Sequence, residues 1–330
     1  MYLEKNEWFK LVKDYKDPNI YDTVFNSITS FIPAILTWCL AYLFLEKSLL
    51  ITFIFMVLCV LFRARVFSIL HDCVHSTFYK SNVSRDFFGF IAGIITLTPY
   101  KCWKKIHLTH HASSSNLAKR DVGDFLMVTV DEYKKMSEKE KKMYRINRHP
   151  IIVLLIAPII YFFILNRMVA NNPVFNMSKE EKNSVYLSNL AIILTWGAIS
   201  FFIGFKAFLM IELPIALMMA SLGFWAFYIQ HQFENTYWAE NEKYDYYLAA
   251  MKGSSFLNVP QLLHWFLGYT GYHHIHHLCP QIPNYNLKKC HDKNKEFQDA
   301  PAITFWKSFD VFKYNLWDSE KNKMVKYSDI

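Results

Sequence analysis

HDCVH at His71–His75, HLTHH at His107–His111 and HHIHH at His273–His277 together hold nine of the chain's thirteen histidines. The first stretch is an HxxxH pattern, and the other two contain HxxHH, with His274 as an extra. On a helix, residues at i, i+3 and i+4 share one face. At ~100° per residue, His107, His110 and His111 therefore project within a wedge of about 100°. The same holds for His273, His276 and His277, and His71 and His75 stack one turn apart. Neutral imidazole is the commonest nitrogen ligand for transition metals, and eight converging imidazoles exceed what one ion binds. The pattern predicts a two-metal site. Surface or capping histidines clustered by chance would give no reason for one helix-compatible spacing to recur.

The apolar blocks around these stretches set the architecture: Thr23–Leu45, Ser48 to about Phe62 and on toward His71, Ile151–Leu165, Tyr186–Phe205, and Ala207–Ile229. A helix needs ~20 apolar residues to cross a bilayer core. The first, fourth and fifth blocks reach that length. The second does so if it runs past Arg63 and Arg65, whose side chains must then snorkel or face protein. Phe87–Thr98 is too short and reads as an interfacial helix or a floor beneath the site.

Parity then decides the topology, because all three stretches must lie on one face to share metals. Three crossings between His111 and His273 would strand the last stretch on the wrong side. Ile151–Leu165 is the shortest block, contains Pro158, and is followed by Arg167, Lys179 and Lys182. By the positive-inside rule the loop after it belongs to the cytoplasm. The expectation is an all-α membrane protein forming a single domain over residues 1–330. Its four transmembrane helices, in two hairpins, lie at about 23–45, 48–69, 186–205 and 207–229, with interfacial segments at about 87–98 and 151–166. The Lys101–His149 loop carries twelve Lys/Arg against six Asp/Glu, which places the histidines, with both termini, on the cytoplasmic side. Six crossings, with 87–98 as a strained span, is the competing arrangement.

Composition agrees. Of 330 residues, 53% are hydrophobic and 18% aromatic, and the apolar excess sits in the long blocks. The net charge of +8 would suggest nucleic acid in a soluble protein; here the basic residues flank apolar blocks and suit anionic headgroups instead. The six cysteines form no CxxC pair, so reduced thiols are expected. The first 22 residues show no apolar run typical of a cleavable signal. Ser137–Lys142 reads as a solvated helix face, and Cys290–Ile330 as a cytoplasmic cap.

Structural zinc sites are closed four-ligand sites, and magnesium and calcium prefer oxygen. Two irons suit imidazole-rich ligation and activate oxygen; copper satisfies the spacing as well. HDCVH, HLTHH and HHIHH, in this order with hairpins between them, resemble the three histidine boxes of integral-membrane fatty-acid desaturases. Phe67–Phe78, Leu97–Phe125, Thr129–Tyr133, Phe227–Tyr237 (FYIQHQFENTY) and Gly271–Leu287 resemble bacterial acyl-lipid desaturases, most of all the phospholipid desaturases of bacilli. The resemblance covers about residues 20–290.

It implies an oxygen-dependent enzyme that inserts a cis double bond into a lipid acyl chain, with delta-5 one choice. It also implies a ninth ligand, His231, where the last membrane helix reaches the cytoplasm. The chain has no flavin, haem or iron–sulfur motif, so electrons come from an external carrier, and the basic loop suits an acidic ferredoxin or flavodoxin. Asp72, Asp121, Asp124 and Glu234 are candidates for holding the imidazoles through their other ring nitrogen. His274 reads as a supporting or surface histidine. His149, His264 and His291 have no cluster and receive no role. Tyr100 and Trp103 are candidates for lining an acyl slot, with interfacial anchoring as their other reading. Two rival functions are a histidine-box hydroxylase or ketolase and a non-catalytic metal-binding or transport protein. A transporter would place ionisable residues within its spans.

Overall fold

The computed structural model describes residues 2–120, 123–169 and 176–330. It opens with a short helix α1 (Lys5–Val12), then α2 (Ile20–Phe44) and α3 (Leu49–Val74) as a tight hairpin. Two shorter helices follow, α4 (Asn82–Ile95) and α5 (Tyr100–Ser113), then α6 (Val130–Lys135) and α7 (Glu138–Asn147). After a bent segment, Ile152–Arg167, the second hairpin comprises α8 (Lys179–Ile203) and α9 (Phe205–His231). Short helices α10 (Tyr246–Met251), α11 (Gln261–Phe266), α12 (His273–Leu278) and α13 (Asn284–Lys293) complete the helical part.

Among the described residues four single helices are long and apolar enough to cross a membrane, α2, α3, α8 and α9, and α7 with the bent segment after it would make a fifth span if taken as one. Their surface is inside-out relative to a soluble bundle. Buried positions on α2 are Thr23, Asn26, Ser30, Ala34, Thr37 and Ala41, small or polar residues spaced three or four apart. Ile32, Ile35 and Leu36 on α2, and Ile193, Phe201 and Phe202 on α8, are exposed. Lipid tolerates this apolar belt and water does not, while the small stripe lets α2 and α3 approach closely. α3 has 26 residues and α9 has 27, so each is ~40 Å long against a core of ~30 Å. Their last turns therefore project beyond the core.

The two arginines of α3 face protein. Arg63 makes a bidentate pair with Glu212 of α9 at 2.7 and 2.8 Å, and Glu212 also accepts from Trp38 Nε1 at 2.8 Å. Arg65 bonds Asn26 Oδ1 at 2.9 Å and lies over the Trp265 ring. The sequence reading missed the acid within the last span.

Ile152–Arg167 is bent 57° from α7 and is built largely of π-helical turns on either side of Pro158, whose ring and missing N–H break regular bonding. α8 starts seven residues earlier than the apolar block, at Lys179, because Ser178 and Glu181 form a capping box. The remainder forms a cap. α1 packs Trp8 and Val12 on Ile275 and Leu278 of α12, and the C-terminal stretch packs Leu316 and Val325 on Tyr133 and Tyr144. Two small sheets refine the all-helical expectation. β1 (Phe256–Asn258) pairs in parallel with β2 (Ala302–Thr304), and β3 (Leu316–Asp318) antiparallel with β4 (Lys323–Val325). All six cysteines are free.

Candidate metal centre

The projecting ends of the long helices carry the first ligands. His71 lies in the last turn of α3, His75 is its C-cap, and His231 is the last residue of α9. A tight reversal brings α5 back beside α3. Thr98 N bonds Gly93 O at 2.7 Å, and a Cβ on Gly93 would lie 2.3 Å from Thr98 O, so no other residue fits there. α5 supplies His107, His110 and His111, and the short α12 supplies His273, His276 and His277.

The nine imidazoles form two groups, each with ligand nitrogens within 4.8 Å of one another: His71, His75, His107, His111 and His276; and His110, His231, His273 and His277. The grouping does not follow the boxes. In each HxxHH stretch the i and i+4 histidines join one group and the i+3 histidine crosses to the other. His107 and His111 stay together while His110 leaves, and His273 and His277 stay while His276 leaves. The groups touch, with the rings of His111 and His277 stacked at 4.2 Å.

The nitrogens face one another. Nε2 atoms approach at 3.1 Å (His107–His111), 2.9 Å (His111–His276), 2.9 Å (His231–His273) and 3.0 Å (His273–His277). Nε2 of His75 and of His110 is buried with no hydrogen-bond partner among the described residues. Burial first, and neighbouring imidazoles second, hold His75, His107, His111, His273, His276 and His277 well below the usual histidine range. They are neutral near pH 7, the form that binds metals. His231 Nδ1 lies 3.3 Å from Gly253 O, an acceptor, which puts the proton on Nδ1 and a lone pair on Nε2. A cation between facing lone pairs satisfies this donor set; water-filled or apolar surroundings would not demand it.

Among the carboxylate candidates, Asp72 is well placed: Oδ1 lies 3.3 Å from His71 Nδ1, and Oδ2 accepts the Asn284 N–H at 2.7 Å. Asp124 Oδ2 stands 3.5 Å from His110 Nδ1, in ion-pair range without hydrogen-bond alignment. Glu234 turns away to Tyr314 Oη at 2.9 Å and Lys323 Nζ at 3.2 Å, so it holds the C-terminal stretch rather than an imidazole. Asp121 lies outside the described residues. His274 stays out of both groups and pairs through Nε2 with His291 Nδ1 at 3.2 Å; burial pushes it down to about 3. His291, given no role from sequence, is thus its partner, and His264 is buried against Phe256 and Tyr272. His149 is exposed.

Trp103 stacks on His107 at 4.4 Å and meets Phe67 edge-on at 5.2 Å, so it walls the five-histidine group. Tyr100 is tied up elsewhere, donating to Cys73 O at 3.1 Å and closing on Gly89. From Phe67 a narrow crevice with a cavity volume of only ≈ 30 Å³ runs between α3 and α9, lined by Leu97, Phe162, Ala220 and Gly223, with Arg63 along it. Phe227, unremarked from sequence alone, packs on both His110 and His231.

An apolar helical frame ending in nine converging imidazoles defines a membrane metalloenzyme. Residues 47–309 match the family model described as fatty acid desaturase, and the chain belongs to that family. It is 39% identical over 324 residues to a fatty acid desaturase of Bacillus subtilis (strain 168), covering 97% of this chain and 90% of that one. An sn-1 acyl-lipid omega-3 desaturase (ferredoxin) of Nostoc sp. (strain 36) is 25% identical, over 77% of this chain and 69% of its own. An sn-1 oleoyl-lipid 12-desaturase of Picosynechococcus sp. is 23% identical, over 70% and 65%. The protein is therefore an oxidoreductase that desaturates fatty acyl chains.

Proposed function

We propose that the nine histidines hold two iron ions and that the enzyme inserts a cis double bond, at delta-5, into an acyl chain still attached to a membrane phospholipid. The observation that carries this reading is the convergence of His71, His75, His107, His111 and His276 beside His110, His231, His273 and His277. Two irons bound there would supply the oxygen chemistry in which a –CH2–CH2– unit becomes –CH=CH– while O2, the two hydrogens it gives up, two electrons from the carrier and two protons together become two waters. The chain's own residues hold the imidazoles neutral and aimed, with Asp72 orienting His71 and Gly253 O orienting His231. Trp103, Phe67 and Phe227 exclude water and wall the place where one methylene pair is presented.

Electrons come from an external carrier such as ferredoxin or flavodoxin; the ferredoxin in the name of the Nostoc relative supports the first. The site and both termini face the cytoplasm of a bacterial cell membrane. The convergence of all nine histidines in one place requires an even number of crossings between His111 and His273; α8 and α9 supply two, and the 57° bend before Ile152–Arg167 supports an interfacial or re-entrant course for that segment. The test is expression in a host without unsaturated lipids, followed by gas chromatography of its fatty acids. A new cis monoene whose bond keeps its distance from the ester across chain lengths supports headgroup anchoring. A bond fixed from the methyl end overturns it, and an alcohol product would mean hydroxylation.

A further inference from the structure

An open cleft of ≈ 460 Å³ lies away from the two histidine groups, in the angle between α7 and the bent segment. Lys141, Lys142, Arg145 and His149 line it on one helical face, and Ile146 and Ile151 form its floor. The one acid at its rim, Glu138, is committed to Lys141 at 2.8 Å. Lys142 has no carboxylate partner among the described residues. Arg145 is held in place from behind, its Nε donating to Tyr133 Oη at 2.6 Å and its guanidinium lying 5.0 Å from the Tyr327 ring centroid.

The floor is as informative as the cations. Ile146 is 40% exposed and Ile151 55%. The exposed apolar face continues through Leu155, Ile156, Ile159 and Ile160 along the bent segment. A cationic cup opening onto an uninterrupted apolar track matches an amphiphile with an anionic head. A zwitterionic head would bring a second cation against these lysines, and an acidic protein would leave the isoleucines without a purpose.

The geometry points to a binding site for one anionic phospholipid, its phosphate at Lys141, Lys142 and Arg145 and its chains along Ile151–Ile160. The site is separate from the metal centre and rests on the reading that Ile152–Arg167 lies in the membrane interface.

The test is native mass spectrometry of the full-length protein in neutral detergent, titrated with phosphatidylglycerol or phosphatidylcholine. One phosphatidylglycerol should be retained at least about tenfold more tightly than phosphatidylcholine. The exposed-surface variant K141Q/K142Q/R145Q should lose that preference while keeping its metal content. Equal retention by the variant overturns the proposal. So does displacement by millimolar inorganic phosphate as readily as by lipid, which would make the ligand a soluble phosphate. Unchanged lipid retention with weakened turnover by reduced ferredoxin would assign the cations to an acidic protein and overturn it as well. The underlying topology is checked separately by labelling a cysteine at position 180 from outside the cell, which should fail whatever the lipid result.

Discussion

The two histidine groups are built from the same residue type in neighbouring space, yet they differ in depth and redundancy. The group of four is buried throughout, with His231 and His273 facing each other at 2.9 Å. The group of five includes half-buried His75 and His111 and is walled on one side by Trp103. Four imidazoles leave no spare ligand, whereas losing one of five still leaves a set that can hold an ion. The group of four is thus the more enclosed, and the group of five lies beside Trp103 and Phe67.

The largest effect should come from His231→Ala. Activity should fall at least about 100-fold, and metal content should drop by about one ion per chain, with the protein still in the membrane. If metal content stays whole and desaturation persists, the ninth ligand is misassigned and the two groups are not of unequal redundancy. His75→Ala should also abolish most desaturation but keep more metal than His231→Ala; equal metal loss in both would erase the distinction.

Orientation should matter next. Asp72→Asn is expected to weaken metal binding by about 10-fold or more, because Asp72 links His71 to Asn284 N. Asp124→Asn should do less, given its 3.5 Å approach to His110 without alignment. Metal-titration curves for the pair would reverse that order if the deep group depended more on its carboxylate. Trp103→Ala should leave metal content intact and lower turnover mainly through the substrate, visible as altered selectivity among chain lengths. The smallest effect on activity is expected for His291→Ala, which removes the His274 partner and ring contacts with Phe256 and Tyr272 and should cost about 1 kcal/mol of stability in a thermal melt.

Much of this was legible because helical spacing is a local property. The boxes, the four long apolar blocks and the position of His231 follow from 3.6-residue periodicity and from length. What the spacing could not assign is the exchange of His110 and His276 between groups, which depends on how α5 and α12 face each other. By sequence Glu234, three residues from His231, looked nearer to an imidazole than Asp124, fourteen residues from His110. The backbone leaves the helix at Gln232, with φ −114° and ψ 84°, and carries Glu234 toward Tyr314. Asp72 could be placed because it shares a helix with His71. Tyr100 could not, because its role depends on Gly89 and Cys73 on other helices. Arg63 and Glu212 lie 149 residues apart, and no local pattern marks them as partners.

That ion pair also governs how the molecule is made. The first hairpin enters the bilayer with Arg63 in its second helix, well before Glu212 has been synthesised. An unpaired arginine near the bilayer centre costs about 2.5–3.5 kcal/mol on insertion scales. Glu212 is in the same position until it finds Arg63, so neither hairpin is at ease in lipid by itself. Docking of the two hairpins relieves a cost that each carries alone. A hairpin that fails to meet its mate keeps a naked charge in the membrane, a state that quality-control proteases can distinguish from the finished enzyme.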